Sequence, residues 1–133
     1  MGLLHRFRKK KKTDVESIRP MTELEQLCGE DKETYEALVN IMFLNPKKIG
    51  VSMKEAGENA IKFEKAKDFT KARLWYEIAG GLAIYEGNVK KVVEYFSKCE
   101  EFSPDKKYAI LKNPEKAIAK AREYYQKYLQ ANS

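Results

Sequence analysis

The chain has 133 residues, 43% hydrophobic and 35% charged, which suits one folded domain and excludes both a membrane-spanning and a disordered protein. The net charge of +6 is concentrated in Arg6, Arg8, Lys9, Lys10, Lys11 and Lys12, and without them 20 basic groups face 20 acidic ones. The basic balance therefore belongs to a tail, and the rest of the chain is neutral.

Residues 1–21 carry little apolar pattern beyond Leu3, Leu4 and Phe7 and are read as a flexible tail; residues 22–133 are read as a single helical domain. Thr22 with Glu25 makes a capping box, in which hydroxyl and carboxylate satisfy two free backbone N–H groups reciprocally. It opens a short turn that Gly29 interrupts. From Asp31, the residues Tyr35, Leu38, Val39, Met42 and Phe43 recur at i, i+3, i+4, i+7 and i+8, one face of a helix. Asn45-Pro46 stops it. Ser52 with Glu55 is a second capping box, followed by a buried face of Ala56, Ala60, Phe63 and Ala66 and a turn at Lys67-Asp68. The next helix runs from about Thr70 to Glu86 and is expected to bury Leu74, Trp75, Ile78, Ala79, Leu82 and Tyr85. Gly87-Asn88 ends it. A further helix carries Val89, Val92, Val93, Phe96 and Cys99 up to Ser103-Pro104. Asn113-Pro114 opens the last, with proline at its favoured first position, and Ala117, Ala121, Tyr124, Tyr125, Tyr128 and Leu129 follow. No stretch alternates with period two. The expectation is an all-α domain of about five antiparallel helices.

Within this pattern small and aromatic residues repeat. Ala60 and Phe63 precede a turn at Asp68-Phe69; Ala72, Tyr76 and Ala79 follow; then come Gly87-Asn88, Val92, Phe96, Cys99 and Pro104, and more faintly Pro114, Ala117, Ala121 and Tyr124. Over residues 56–104 this order resembles the tetratricopeptide repeat family. The resemblance implies helical hairpins in which a small residue lets two helices approach and an aromatic fills the groove beside it. The intervals are short for that family: 20 residues from Ala72 to Val92 and 25 from Val92 to Ala117, against about 34. One helix must then serve two pairs, with Gly80 at the small position. The stretch Glu64 to Glu86, with the Tyr-rich helix Ala117 to Gln130, is also similar to the MIT domain, a three-helix bundle; Val89 to Phe102 would then be an insertion.

Either resemblance implies a groove that receives a peptide or helix from another protein. Trp75, Tyr85, Tyr124 and Tyr128 are the candidate groove residues, although Trp75 in mid-helix suits core packing better than an exposed anchor. Gly80-Gly81 inside a helix costs about 1 kcal/mol per glycine relative to alanine, which points to another helix in close approach.

Catalysis finds no foothold. His5 is the only histidine and lies in the tail, and no glycine-rich phosphate loop follows a strand. Cys28 and Cys99 stand 71 positions apart without histidine support, so neither metal nor cofactor is expected, nor a small-molecule substrate. The two isolated thiols, with no secretory or transmembrane stretch, fit a cytoplasmic protein.

The tail is the remaining signal. On a helix Leu3, Leu4 and Phe7 share one side, flanked by the basic residues, which suits an anionic membrane on the inner face. Six cations at about 1 kcal/mol each supply on the order of 5 kcal/mol there. Nucleic acid or a ribosome is the competing partner, since six positives neutralise about five phosphates; a merely solvated tail is the plain alternative. The apolar triplet favours the membrane. The expectation is a non-catalytic interaction module anchored by its tail, with a nucleic-acid accessory protein or a subunit of a larger assembly as alternatives.

Overall fold

A computed structural model describes residues 21–129. Among them the chain is all-helical, without strands: α1 Glu23–Cys28, α2 Lys32–Leu38, α3 Pro46–Ile49, α4 Met53–Lys65, α5 Phe69–Glu86, α6 Val89–Phe102 and α7 Pro114–Tyr124. A 3₁₀ turn, Ala109–Lys112, precedes α7, and a π turn, Tyr125–Leu129, continues it. Leu3, Leu4, Phe7 and the basic set Arg6, Arg8 and Lys9 to Lys12 lie outside the described residues.

The helix starts follow from side-chain chemistry. Thr22 and Ser52 form capping boxes with Glu25 and Glu55. Asp31, Asp68, Asn88 and Asn113 each accept a hydrogen bond from the backbone N–H three residues on. These bonds satisfy donors that a helix start leaves free. Gly87 ends α5 in the left-handed region at φ 72°, where a side chain would be strained.

Three long helices make an array, with α5 packed along both α4 and α6. Arg73, early in α5, donates to Ser103 just past the end of α6 at 3.0 Å, while Gly80, further on, meets Phe96 from mid-α6. The two helices therefore run antiparallel. Tyr76 likewise donates to Glu64 near the end of α4 at 2.6 Å. Helices α4 and α6 also touch, through Lys98 and Glu64 at 3.0 Å and through the Tyr95 ring lying on Gly57. The interior face of α5 is Ala72, Tyr76, Ala79, Gly80 and Ala83, all buried. A methyl group on Gly80 would stand 2.6 Å from the Phe96 ring, so the glycine makes room for an aromatic from α6. Gly81 has a different neighbour: a methyl there would stand 2.8 Å from the Met42 carbonyl oxygen. Beside the array, α1, α2 and α7 pack on one another and the 3₁₀ turn lies against α2.

Five expectations are corrected. Ala66 is exposed, because α4 ends at Lys65 and Ala66 only caps it. Seven helices stand among the described residues where about five were expected, the short α1 and α3 being the additions. The helix from Asp31 ends at Leu38, not at Phe43. Val39, Asn40 and Ile41 are poor helix formers, and Ile41 to Leu44 instead run without helix and half-buried against the core. A short apolar run satisfies a helical period and an irregular buried segment equally well. Leu74 is 47% exposed, because α5 turns its Ala72–Tyr76–Ala79–Ala83 face to both neighbours. Val93 is 39% exposed for a similar reason: α6 buries Val92, Tyr95, Phe96 and Cys99, a stripe shifted by part of a turn.

Candidate functional site

A cleft of about 520 Å³ opens where the segment after α2, helix α3, the end of α5 and the end of α7 converge. Its apolar lining comes from Phe43, Leu44, Ile49, Tyr85, Tyr125 and Leu129, and its polar lining from Asn45, Lys47, Lys48, Arg122 and Gln126. The volume lies within the range of about 300–1,000 Å³ typical of ligand sites.

Each wall has a local cause. Asn45 caps α3 by accepting from the Lys47 N–H at 2.9 Å, and Pro46 follows at the first position. This one-turn helix presents Lys47, Lys48 and Ile49 together. On the opposite wall the Tyr125 hydroxyl donates to the Leu44 carbonyl at 2.6 Å. Burial pushes the Tyr125 phenol well above the ordinary tyrosine range, so it remains a donor at any physiological pH. Its ring stands edge-on to Tyr85, with centroids 5.2 Å apart and planes at 86°, and Phe43 meets it at 5.6 Å. Arg122 rests over Gly87, at the end of α5 where unsatisfied carbonyls attract a cation.

The lining carries three cations and no carboxylate. Among the described residues none of Lys47, Lys48 and Arg122 forms an ion pair, whereas Lys98 and Lys116 each reach a carboxylate at 3.0 Å. The cleft is thus a local positive excess on a domain whose charges balance overall.

Of the candidate groove residues, only Tyr85 lines this cleft. Tyr124 packs at a tilt against Phe43 at 4.7 Å and against Tyr128 at 5.2 Å, outside the lining. Trp75 is half-buried against the core, about 15 Å along α5 from Tyr85 at 1.5 Å per residue. Of the residues singled out for packing, Ala60, Ala72, Tyr76, Ala79, Gly80, Val92, Phe96 and Cys99 are buried, and Phe63 is half-buried under Lys71. Most of the cleft was missed. Phe43 was read as the end of a helix, and the basic pair after Pro46 was the one signal available.

Both cysteines are buried. Burial pushes the Cys99 thiol up to about 12, and its Sγ lies 3.8 Å from the Arg73 carbonyl. Burial raises Cys28 as well. Among the described residues no group of three or more His, Cys, Asp and Glu side chains could hold a metal, and no helix is long and apolar enough to cross a membrane. Glu64 is held below the usual carboxylate range by the Tyr76 hydroxyl and Lys98, and the Tyr108 hydroxyl donates to Glu77, which Lys106 also faces. Tyr76 and Lys98 tie α5 and α6 to α4 through Glu64, and Glu77 ties α5 to the segment before the 3₁₀ turn. No family model, curated protein or solved structure matches the chain.

Proposed function

We propose that the chain is a non-catalytic interaction module that takes a short segment of another protein in the cleft between α3 and the π turn. The observation that carries this reading is the cleft itself: six apolar side chains set among polar ones, on walls that four separate elements hold in place. Such concave apolar floors with a few placed polar groups are where proteins take ligands. The α4–α6 array, read as an irregular tetratricopeptide-like pair of hairpins sharing α5, agrees with that role. The basic residues before Thr13, with Leu3, Leu4 and Phe7, hold the module at an anionic membrane surface.

The test has two arms. The full chain is panned against a displayed library of random peptides, and the selected binders are measured on the Ile49→Ala/Leu129→Ala variant. Removing two apolar side chains from the lining is expected to weaken them about tenfold. A library that yields no binder sensitive to this pair overturns the reading. In the second arm the full chain is mixed with anionic vesicles and with a nucleic-acid duplex. Vesicle binding that falls when Leu3, Leu4 and Phe7 become Ser supports the membrane anchor. Duplex binding indifferent to those three residues replaces it with the nucleic-acid alternative.

A further inference from the structure

We infer that the cleft selects acidic peptides: segments with one or two large apolar side chains flanked by carboxylates. The inference rests on the interaction reading above and adds the chemistry of the partner.

The argument begins with unspent charge. Lys47, Lys48 and Arg122 border one concavity, have no ion-pair partner among the described residues and share the lining with no carboxylate. All three are exposed at the rim of the apolar floor. Arg122 is positioned: its guanidinium lies over Gly87 at the end of α5. Lys47 and Lys48 are carried by a helix turn that Asn45 caps and Gly50 closes at φ 70°. Three held cations around an apolar floor match an anionic ligand that also has apolar side chains.

Two other occupants fit less well. The chain's own tail carries six positives and would be repelled by the three at the rim. Single-stranded nucleic acid takes accessible aromatic faces on which bases stack, whereas Tyr125 is buried and Tyr85 packs against it at 86°. A peptide needs no flat platform. It needs a floor for a side chain and cations for its carboxylates, and both are here.

The test uses the peptides selected on the full chain. Binders lost in Ile49→Ala/Leu129→Ala are expected to carry more Asp and Glu than Lys and Arg, and to weaken about tenfold or more in Lys47→Glu/Lys48→Glu/Arg122→Glu. Because the three positions are exposed, circular dichroism should show the variant folded. Exchanging the acidic residues of a binder for Lys is expected to restore affinity for the reversed variant. Cleft-dependent binders that are neutral or basic, or indifferent to the reversal, overturn this inference and leave the interaction reading standing. The absence of any cleft-dependent binder instead removes the interaction reading, and this one with it. In a third protein the tail cations Arg6, Arg8 and Lys9 to Lys12 become Gln within the full chain. Loss of the acidic preference there assigns it to the tail and overturns the inference; its persistence upholds it. A complex of two copies that the charge reversal dissociates names a different occupant and overturns it too.

Discussion

In the α4–α6 array the helices run 13, 18 and 14 residues and meet side chain to side chain, small against aromatic. At the cleft end, α1, α2 and α3 run 6, 7 and 4 residues, and the decisive contact is a tyrosine hydroxyl on a backbone carbonyl. The array buries long continuous stripes. The cleft end closes instead over an irregular segment, Ile41 to Leu44, whose backbone approaches α5 at Gly81. Regular packing leaves little room for a ligand, and the concavity lies where the packing is irregular. Helices this short are marginal without tertiary support, so the cleft end depends on the array more than the array depends on it.

The sharpest way to break this comparison is to remove the aromatic between α5 and α6. Phe96 is 2% exposed, and Phe96→Ala is expected to cost about 3–5 kcal/mol, read from urea unfolding. Both regions should be lost together. Gly80→Ala sharpens the point by changing sign. In the native chain its methyl would meet the Phe96 ring at 2.6 Å and destabilise, but in the Phe96→Ala background it should stabilise, by helix propensity and by filling space. A double-mutant cycle without that reversal would mean that the glycine serves something other than the ring.

Tyr125→Phe is the next largest. It leaves the Leu44 carbonyl without its donor, a loss of about 1–3 kcal/mol. Hydrogen exchange should quicken in the segment around Leu44 and in the π turn, while amides of α4 to α6 keep their protection. Uniform loss of protection would show that the two regions open as one unit.

What could be read in advance followed the same division. Ser52, Asp68, Gly87 and Asn88 punctuate α4 to α6 in the sequence, and Ala72, Tyr76, Ala79 and Phe96 recur at helical spacing, because each acts within a few residues of itself. Leu74 and Val93 were misplaced only by part of a turn, since which stripe is buried depends on neighbours that periodicity does not name. The cleft was illegible for a stronger reason. Leu44 and Tyr125 are 81 residues apart, and nothing local to either marks the other. The Gly80-Gly81 pair was visible as a cost, and half of its explanation was within reach: a helix for Gly80, but an irregular backbone for Gly81.

The smallest expected effect concerns pH. Asp31 caps α2 and accepts from Thr34, while Lys116 of α7 lies 3.0 Å away, so its carboxyl is lowered from the ordinary 3.8 to about 2. A carboxyl depressed on folding adds stability that is fully present above its unfolded value and is lost as pH falls through the folded one. Asp31→Asn keeps the cap but removes the charge. Its melting temperature should lie slightly below that of the native chain at pH 6, with the gap closing between about pH 4 and pH 2. A gap that persists unchanged at pH 2 would assign the effect to the cap and remove the ionic tie between α2 and α7.

The span of the Tyr125–Leu44 bond also sets a timetable. The 81 residues it spans include all of α4 to α6, and closing so long a loop costs less once the array between its ends has folded. The cleft takes walls from residue 43 and from residue 129 alike, so it comes into being after the array between them has folded. A molecule with a folded array and an unfastened Tyr125 would lack the cleft.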